Sequence, residues 1–457
     1  MEKDLELIVF QRFVESLTDP SYKIVNQDRW KTSILVRKFD IVIYFESYPL
    51  AVIEVKTKIS SNKNRLAIGF DQVRSALSIT NARFGVVTDN EIYYFYDKSS
   101  KEDFKIASYN EIIVFINQRV VPEFNQDDFQ GIGDIFRNTA KTFLSDNLGL
   151  KELLEKNSFV RKVIFDTSSN VFCFDHKNFS KSLFEDRIFS QLVGEFHDTK
   201  ICRYCSFDAI FSTIDYLTFR LNGIVGMNDK TEINYVDTYI ENVEKPISSL
   251  HHNTVSAINR RYITSCSQIK NKDDLTLWRL YGEDAKGSCL IFKVNHDKVT
   301  DKVLLRKVKY AGMNGNLPEL DFIKQVVKLV EQKYGFNFMF KKLGVWKHFF
   351  KPYEYSMEEE VRLLIIDSEN TPSRTGWVKT YSHSILNPYI DFELNNPDFP
   401  LELIEIILGP KCPEQEINKM QLEEMIRRKK SYINLDISKK TDISKLKVEL
   451  SEINHYR

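Results

Sequence analysis

The first 118 residues alternate helix-like and strand-like segments in an order that restricts the fold more than any other feature of the sequence. In chain order, we predict a helix over 2–17, strands over 33–36, 39–45 and 50–56, a helix over 66–79, and strands over 84–87 and 92–96. Strands that alternate with helices build a sheet flanked by helices. We therefore predict a mixed α/β domain over residues 1–118.

The remainder of the chain is predicted to hold a connector and a second domain, because 457 residues exceed what one hydrophobic core usually supports. Residues 119–198 carry helical stretches such as 134–154, which predicts a helical connector. Strand-like runs mix with helices over 199–457, which predicts an α+β domain. Its strands are predicted at 201–204, 262–266, 288–292, 303–310 and 361–366, and its helices at 323–334, 413–430 and in the tail 439–457.

Composition excludes several classes of protein. Acidic and basic residues both number 64, so any grip on nucleic acid must come from a local basic patch. No apolar run is as long as a membrane helix and the start lacks a signal-peptide pattern, so we expect a cytoplasmic protein with no membrane partner. The six cysteines are scattered, and Cys202 and Cys205 form only half of a zinc motif, so we expect buried thiols.

The first chemical constellation lies at the end of a predicted buried strand. Glu54 and Lys56 follow an apolar run two residues apart, so their side chains point to the same face. Asp40 begins the preceding strand, and a hairpin would bring its carboxylate beside Glu54. Two carboxylates and an ammonium fit metal-dependent phosphodiester cleavage. The alternative interpretation is a turn-capping Asp40 beside a solvated Glu54–Lys56 pair.

These residues resemble the PD-(D/E)XK nuclease superfamily, in particular the amino-terminal nuclease domain of type I restriction enzyme motor subunits. The resemblance rests on Phe39-Asp40-Ile41-Val42-Ile43, Ala51-Val52-Ile53-Glu54-Val55-Lys56, Gln72 and Phe84-Gly85-Val86-Val87-Thr88-Asp89. It implies a restriction-endonuclease-like domain over 1–118, with a mixed sheet flanked by helices. The sequence has no glycine-rich Gly-Lys-Ser/Thr phosphate loop, so the helicase motor of those subunits is not expected.

The resemblance also assigns roles to single residues. Asp40 and Glu54 would ligate Mg²⁺ or Mn²⁺, and Lys56 would assist the attacking water. Gln72 would complete the site. The first helix would add a further acid, for which the candidates are Glu6 and Glu15.

A basic patch surrounds this constellation. Between 56 and 83 the charged residues are Lys56, Lys58, Lys63, Arg65, Arg74 and Arg83 against Asp71, a local excess of five positive charges. The predicted nucleic-acid contacts are Lys58, Lys63, Arg65 and Arg74. Attraction to phosphates does not depend on base sequence, so the patch indicates nucleic acid as the partner, DNA in preference to RNA, without indicating a cut site.

A second constellation lies in the rear half of the chain. Its candidate residues are Arg203, Asn228, Asp229, Ser267, Trp278, Tyr281, Glu358, Glu360 and Arg362. Their order resembles an uncharacterised bacterial domain family with an Asn-Asp, Trp-x-x-Tyr and Glu-x-Glu-x-Arg signature, although Lys230 stands where that family has Pro. The order also resembles the Arg, Ser and Glu elements of ADP-ribosyltransferases. That resemblance implies that Arg203 holds NAD phosphates and that Glu360 stabilises the ribose.

Three functions remain open at this level. The first is a Mg²⁺-dependent DNA endonuclease that acts as an anti-phage or restriction effector, regulated by its rear domain and assembled from two copies to cut both strands. The second is an NAD-consuming or ADP-ribosylating toxin with its chemistry in the rear domain. The third is a DNA-binding adaptor without catalysis. A structural interpretation of the rear residues, with Glu358, Glu360 and Arg362 as paired charges on one strand face, also stays open.

Overall fold

The chain folds into two compact units. The computed structural model describes residues 2–31, 36–45, 48–98, 103–117, 124–156, 158–166, 171–175, 184–226, 230–241, 260–367, 375–379, 386–435 and 441–453. The first unit is built from the described residues of Met1–Ile188 and Pro318–Gly344. The second unit is built from those of Phe189–Glu244, Val255–Leu317 and Val345–Arg457. The domain boundaries drawn from the sequence stay predictions.

The front part of the first unit is a six-stranded sheet with helices packed against it. Its elements are α1 (Glu2–Ser16), β1 (Tyr22–Lys31), β2 (Val36–Phe45), β3 (Tyr48–Val55), α2 (Lys63–Thr80), β4 (Phe84–Thr88), β5 (Tyr93–Asp97), β6 (Lys105–Ala107) and α3 (Tyr109–Asn117). The strands lie in chain order, and all neighbours are antiparallel except β3 and β4. Those two are parallel because α2 carries the chain back between them. The predicted mixture of helices and strands is confirmed.

One strand of this sheet was not expected from the sequence. β1 spans Tyr22–Lys31, whereas the first strand was predicted at 33–36, of which 33–35 lie outside the described residues. β1 contains the polar run Asn26-Gln27-Asp28, which interrupts the alternation of apolar and polar residues that indicates a strand. Its pairing with β2 along nearly its whole length stabilises it instead.

Two hydrophobic cores lie on opposite faces of this sheet. The core against α1 contains Val9, Phe13, Ile41, Ile43, Ile53 and Val55. The core against α2 contains Val42, Val52, Val73, Ala76, Leu77 and Val87. Each large apolar side chain buried in this way contributes about 1.5–3 kcal/mol. Because a slip of one residue would exchange the two faces, these cores fix the register of β2 against β3, on which the candidate site depends.

The remaining part of the first unit combines helices with a small sheet around an aromatic core. Its elements are the helices Gln126–Phe143, Leu148–Glu155 and Pro318–Tyr334, and the three strands Val163–Asp166, Val171–Phe174 and Phe338–Met339. The predicted helix over 134–154 is two helices, because the chain turns between Leu144 and Asn147. The connector is therefore only partly helical, and the segment 318–344 packs with it, as the contact between Phe136 and Phe338 shows.

The second unit contains a ten-stranded sheet that is antiparallel except for its last pair. Its main path is Thr375–Lys379, Leu386–Glu393, Thr218–Gly223, Arg261–Gln268, Lys200–Cys205, Ser288–Val294, Leu401–Leu408 and Lys447–Leu450. Off this path, Glu360–Ile366 pairs with Arg261–Gln268, and Val303–Lys307 pairs with Glu360–Ile366. Its α-helices include Phe207–Tyr216, Lys230–Glu241, Leu275–Tyr281 and Gln415–Leu435. The predicted helix in the tail 439–457 is wrong where it is described, because Lys447–Leu450 pairs in parallel with Leu401–Leu408. No helix in the described ranges is long and apolar enough to cross a membrane.

The close approach of α2 to the sheet at Gly85 gives a test of this packing. A Cβ at Gly85 would lie 2.4 Å from Cγ1 of Val73. We expect Gly85→Ala to lower the free energy of unfolding of the front domain by about 1–3 kcal/mol, measured by pulse proteolysis in urea. The double variant Gly85→Ala/Val73→Ala should lose less than the sum of the two single variants, since it removes the clashing methyl groups. Additive losses would contradict this packing.

Candidate active site

Pairing of β2 with β3 brings the first two candidate residues together. Ile41 pairs with Ile53, so the next position along the ladder sets Asp40 opposite Glu54. The backbone N–H of Val55 donates to Oδ2 of Asp40 at 2.9 Å, which fixes that carboxylate against the end of β3. Glu54 is buried, with 6% of its surface exposed, and Asp40 is half-buried. The hairpin geometry expected for this pair is therefore present.

Lys56 joins the two carboxylates from the end of β3. Its backbone N–H donates to the carbonyl of Thr88 at 2.9 Å, which extends the parallel β3–β4 pairing by one residue. Its Nζ donates to Oε1 of Glu54 at 2.5 Å and lies 3.8 Å from Oε1 of Glu2 on α1. The structure thus brings Asp40, Glu54 and Lys56 together, as predicted from their spacing.

Burial and mutual repulsion change the pKa values of this cluster. Burial, followed by the charge of Asp40, raises the pKa of Glu54 from 4.5 to about 7, although the bond to Lys56 opposes the change. Burial also raises the pKa of Asp40, which the Val55 N–H partly offsets. Burial alone would lower the pKa of Lys56, but its bond to Glu54 and the surrounding carboxylates outweigh it, and the pKa is raised. Lys56 is therefore an ammonium at neutral pH.

The donor set fits a hard divalent cation. Mg²⁺ and Mn²⁺ prefer oxygen ligands. Such a cation would stabilise the two carboxylates, which repel each other where they are largely removed from water. Within the described chain no hydrogen bond occupies Oδ1 of Asp40 or Oε2 of Glu54, so each carboxylate keeps an oxygen for a ligand. No group of three or more His, Cys, Asp or Glu side chains arranged for a metal occurs among the residues described. Asp40 and Glu54 would therefore hold the ion as a pair.

The other candidates near this site have different positions. Gln72 is exposed on α2, and the structure describes no hydrogen bond from its side chain to Asp40, Glu54 or Lys56. Glu6 is buried on α1, where Asp40 contributes to raising its pKa after burial itself. Glu15 lies exposed at the other end of α1. Of the two acids considered for the first helix, only Glu6 therefore lies at the site.

The basic patch is smaller than the sequence suggested. Lys58, Lys63 and Arg65 are exposed around the amino-terminal end of α2. Nη2 of Arg74, however, lies 2.8 Å from Asp103 and Nη1 lies 3.6 Å from Asp71, so this charge is largely compensated. Arg83 is similarly paired with Asp97 at 3.1 Å. Asp97 and Asp103 lie outside residues 56–83, the segment over which the charges were counted from the sequence. Arg74 is therefore a weaker candidate for a phosphate contact than the other three.

In the second unit, the Glu-x-Glu-x-Arg residues form a buried ion network. Nε and Nη2 of Arg362 donate to the two oxygens of Glu360 at 2.5 and 2.9 Å, and Nη1 donates to the carbonyl of His348 at 2.5 Å. Nζ of Lys351 lies 2.9 Å from Glu358 and 2.8 Å from Glu360. Burial alone would raise the pKa of Glu360, but Arg362 and Lys351 outweigh it and lower the pKa to about 2. Its charge is matched within the fold.

The remaining candidates of the second unit also have structural contacts. Trp278 is buried and its Nε1 donates to Asp273 at 2.7 Å, while the hydroxyl of Tyr281 donates to Glu358. Ser267 is buried on a central strand, and the guanidinium of Arg203 lies 5.4 Å from the ring centre of Phe219. Asn228 and Asp229 lie outside the described residues. Cys202 is a buried free thiol and Cys205 a half-buried one.

Sequence reasoning missed two participants in these clusters. Gln27 on β1 donates a hydrogen bond to Oε1 of Glu6, and no element was predicted for its segment from the sequence. Lys351 was not considered, although a lysine inside the aromatic run Trp346–Tyr355 is a signal of a buried, paired charge. The partner of Gln27 lies 21 residues away in the sequence, whereas Lys351 lies only seven residues from Glu358 and was overlooked.

Because the pKa of Glu54 is raised, the stability of the metal-free protein should depend on pH. Neutral Glu54 contributes stability that is complete below its ordinary pKa of 4.5 and is lost as the pH rises through about 7. The free energy of unfolding that is lost over this pH range is roughly 3 kcal/mol. Glu54→Gln should therefore gain stability over the natural protein between about pH 5 and pH 8, measured by pulse proteolysis in urea with EDTA. A difference between the two proteins that does not depend on pH would contradict the raised pKa.

The buried network predicts a stability effect in the second unit. Arg362→Met should lower the free energy of unfolding by about 3–5 kcal/mol, because Glu360 stays buried with one cation fewer. Urea unfolding followed by the fluorescence of the buried Trp278 and Trp346 measures this loss. The control is Arg427→Met, whose guanidinium pairs with Glu424 on the surface and whose loss should leave the midpoint unchanged. Equal midpoints for both variants would show that the network is not important for stability.

Comparison with known proteins gives no assignment for this chain. No protein-family model matches it, and no match was found among curated proteins or among solved structures. The functional argument therefore depends on the residues and contacts described above.

Proposed function

We propose that the front domain is a Mg²⁺-dependent nuclease that hydrolyses phosphodiester bonds in DNA. The observation that carries this proposal is the convergence of Asp40, Glu54 and Lys56 at the ends of two paired strands. The arrangement of one helix, three strands, a second helix and further strands is compatible with the restriction-endonuclease-like domain that the resemblance implies. The first line of support rests on side-chain contacts and the second on the order of the elements.

Each residue has a definite part in this proposal. Asp40 and Glu54 would hold Mg²⁺ or Mn²⁺, and the bound ion would supply Lewis-acid stabilisation of the phosphate oxygens. Lys56 stays protonated beside Glu54, so it can orient the attacking water and stabilise the charge that develops on the phosphorus oxygens. The N–H of Val55 holds Asp40 in place, which limits the reorganisation needed during the reaction.

Exposed cations support nucleic acid as the substrate. Lys58, Lys63 and Arg65 lie within nine residues of Lys56 in the sequence and carry unpaired charges within the described residues. Cations of this kind bind phosphates without reading bases, and the interaction weakens with salt. A role in anti-phage defence, a cytoplasmic location and pairing of two copies stay predictions.

The second unit gives less support to NAD chemistry. Glu360, which would stabilise the ribose in that alternative, is 3% exposed and bound to Arg362 and Lys351. A buried carboxylate that is already paired with two cations is poorly placed to bind a ligand. The network therefore supports a structural role for Glu358, Glu360 and Arg362, and we do not propose a transferase activity.

Cleavage of supercoiled plasmid by the purified full-length chain tests the nuclease proposal. With Mg²⁺, the natural protein should nick or linearise the plasmid, and EDTA should stop it. Asp40→Asn and Lys56→Ala should each reduce the rate by about 100-fold or more, since each removes a group that acts in the transition state. The matched control is Glu91→Gln, an exposed acid in the turn between β4 and β5, which should retain the rate. Full activity in Lys56→Ala would refute the assignment.

DNA binding in EDTA tests the basic patch separately. Lys63→Ala should weaken binding and lower the slope of log affinity against log salt by about 0.9, as expected for one phosphate contact. Lys151→Ala, an exposed lysine on the helix Leu148–Glu155, is the control and should change neither quantity. Equal effects of the two substitutions would contradict a phosphate contact at Lys63.

A further inference from the structure

A buried acid holds the loop that joins β3 to α2. Oδ2 of Asp89, the residue directly after β4, accepts a hydrogen bond from the backbone N–H of Ile59 at 3.1 Å. Its other oxygen, Oδ1, accepts from the backbone N–H groups of Glu91 and Ile92 at 3.2 and 3.0 Å. Only 8% of Asp89 is exposed. The carboxylate therefore joins the β4–β5 turn to a loop that is 30 residues away in the sequence.

The same loop is also held at a second point and by its own contact with the core. The backbone N–H of Lys56 donates to the carbonyl of Thr88 at 2.9 Å, one residue before Asp89. The side chain of Ile59 is 2% exposed and packs in the core against α2. Because residues 56 and 59 are both held, the backbone of Lys58 between them has little freedom to move.

Lys58 is the residue whose position this arrangement determines. Its backbone φ is 58°, in the left-handed region that non-glycine residues rarely adopt. A strained conformation of this kind persists where the surrounding structure requires it. The side chain of Lys58 is exposed, and no acid pairs with it within the described ranges. Since Lys58 lies two residues beyond Lys56, the loop presents an unpaired cation close to the candidate site in the sequence.

From these contacts we infer that Asp89 is a positioning residue, which holds the loop so that Lys58 binds a phosphate of the DNA backbone beside the candidate site. The inference rests on the proposed function, of which it concerns the binding of DNA. Asp89 acts through Ile59 and Lys58 and does not touch DNA. A lysine on a loop that is already ordered loses less conformational freedom on binding than one on a mobile loop. Contacts to phosphates orient a protein on the duplex without reading its bases.

Binding of duplex DNA by the full-length chain in EDTA is the test, with Asp89→Asn as the main variant. Asparagine keeps an oxygen for the N–H groups of Glu91 and Ile92 but turns an NH₂ group toward the N–H of Ile59, so only the loop contact is lost. Because the substitution removes a negative charge, electrostatics alone would strengthen binding to DNA. We expect binding to weaken instead, by about three-fold or more at about 0.1 M salt.

Lys58→Ala gives the effect of losing the phosphate contact itself. It should weaken binding at least as much as Asp89→Asn does and lower the slope of log affinity against log salt by about 0.9. The double variant Asp89→Asn/Lys58→Ala should bind no more weakly than Lys58→Ala alone, because Asp89 acts through that lysine. The matched control is Glu91→Gln, which removes an exposed acid from the same turn and should not weaken binding.

Hydrogen exchange separates positioning of the loop from a general loss of stability. In Asp89→Asn the backbone amides of residues 56–62 should exchange faster, while those of β2 and β3 keep the protection they have in the natural protein. An acid with a purely structural role would lower protection throughout the front domain, and its loss would weaken binding further in the Lys58→Ala background. Unchanged exchange over 56–62 would refute the contact with Ile59.

The outcomes distinguish this inference from the proposed function. If the natural chain binds DNA but does not cleave it with Mg²⁺, the nuclease proposal fails and the role of Asp89 is decided by the binding measurements. If Lys58→Ala weakens binding but Asp89→Asn leaves it unchanged or strengthens it, only the role of Asp89 is refuted. If Lys58→Ala has no effect, there is no phosphate contact for Asp89 to position. A chain that binds no DNA at all would refute both proposals.

Discussion

Two carboxylates placed side by side in a buried position are the constraint on which the front domain depends. Asp40 and Glu54 repel each other and lose hydration, which is unfavourable unless other groups compensate. The compensation comes from the backbone N–H of Val55 and the ammonium of Lys56, with a smaller contribution to Asp40 from the charge of Lys38. It is incomplete, because the pKa of Glu54 remains near 7. A site that is left short of positive charge in this way is suited to bind a cation.

The two charged clusters of the protein differ in charge balance, and this difference supports a different interpretation of each. The rear cluster sets Glu358 and Glu360 against Lys351 and Arg362, with charges matched in number and in hydrogen bonds. In the front cluster the acids outnumber the two lysines, Lys38 and Lys56, whose charges act on Asp40. Buried ion pairs with matched partners maintain structure and are costly to break, whereas an excess of buried carboxylates is unfavourable without a ligand. Motifs of similar sequence character, Glu-x-Lys and Glu-x-Glu-x-Arg, thus support different interpretations once their partners are known.

The sequence was sufficient to predict the part of the site that depends on local geometry. Glu54 and Lys56 share a face because strands alternate, and Asp40 lies opposite because a hairpin joins the two strands. The sequence was insufficient where a partner is distant. Arg74 was counted as free because Asp103 is 29 residues away, and the strand Lys447–Leu450 was missed because its partner Leu401–Leu408 is not adjacent in the chain. The left-handed backbone of Gln27 has no sequence signal, since glutamine is not a residue that favours it.

The compensation of Arg74 and Arg83 changes what the front domain requires of the rest of the protein. Among the basic residues counted between 56 and 83, all of which the structure describes, Lys58, Lys63 and Arg65 are the three that are exposed and not paired with an acid. Three phosphate contacts give a salt slope of only about 2.7, well below that of proteins which bind duplex DNA tightly. The cluster of Asp40, Glu54 and Lys56 is therefore better developed than the basic surface beside it. A nuclease of the kind proposed would need additional contacts with DNA, from other surfaces of the chain or from a second copy, before cleavage became efficient.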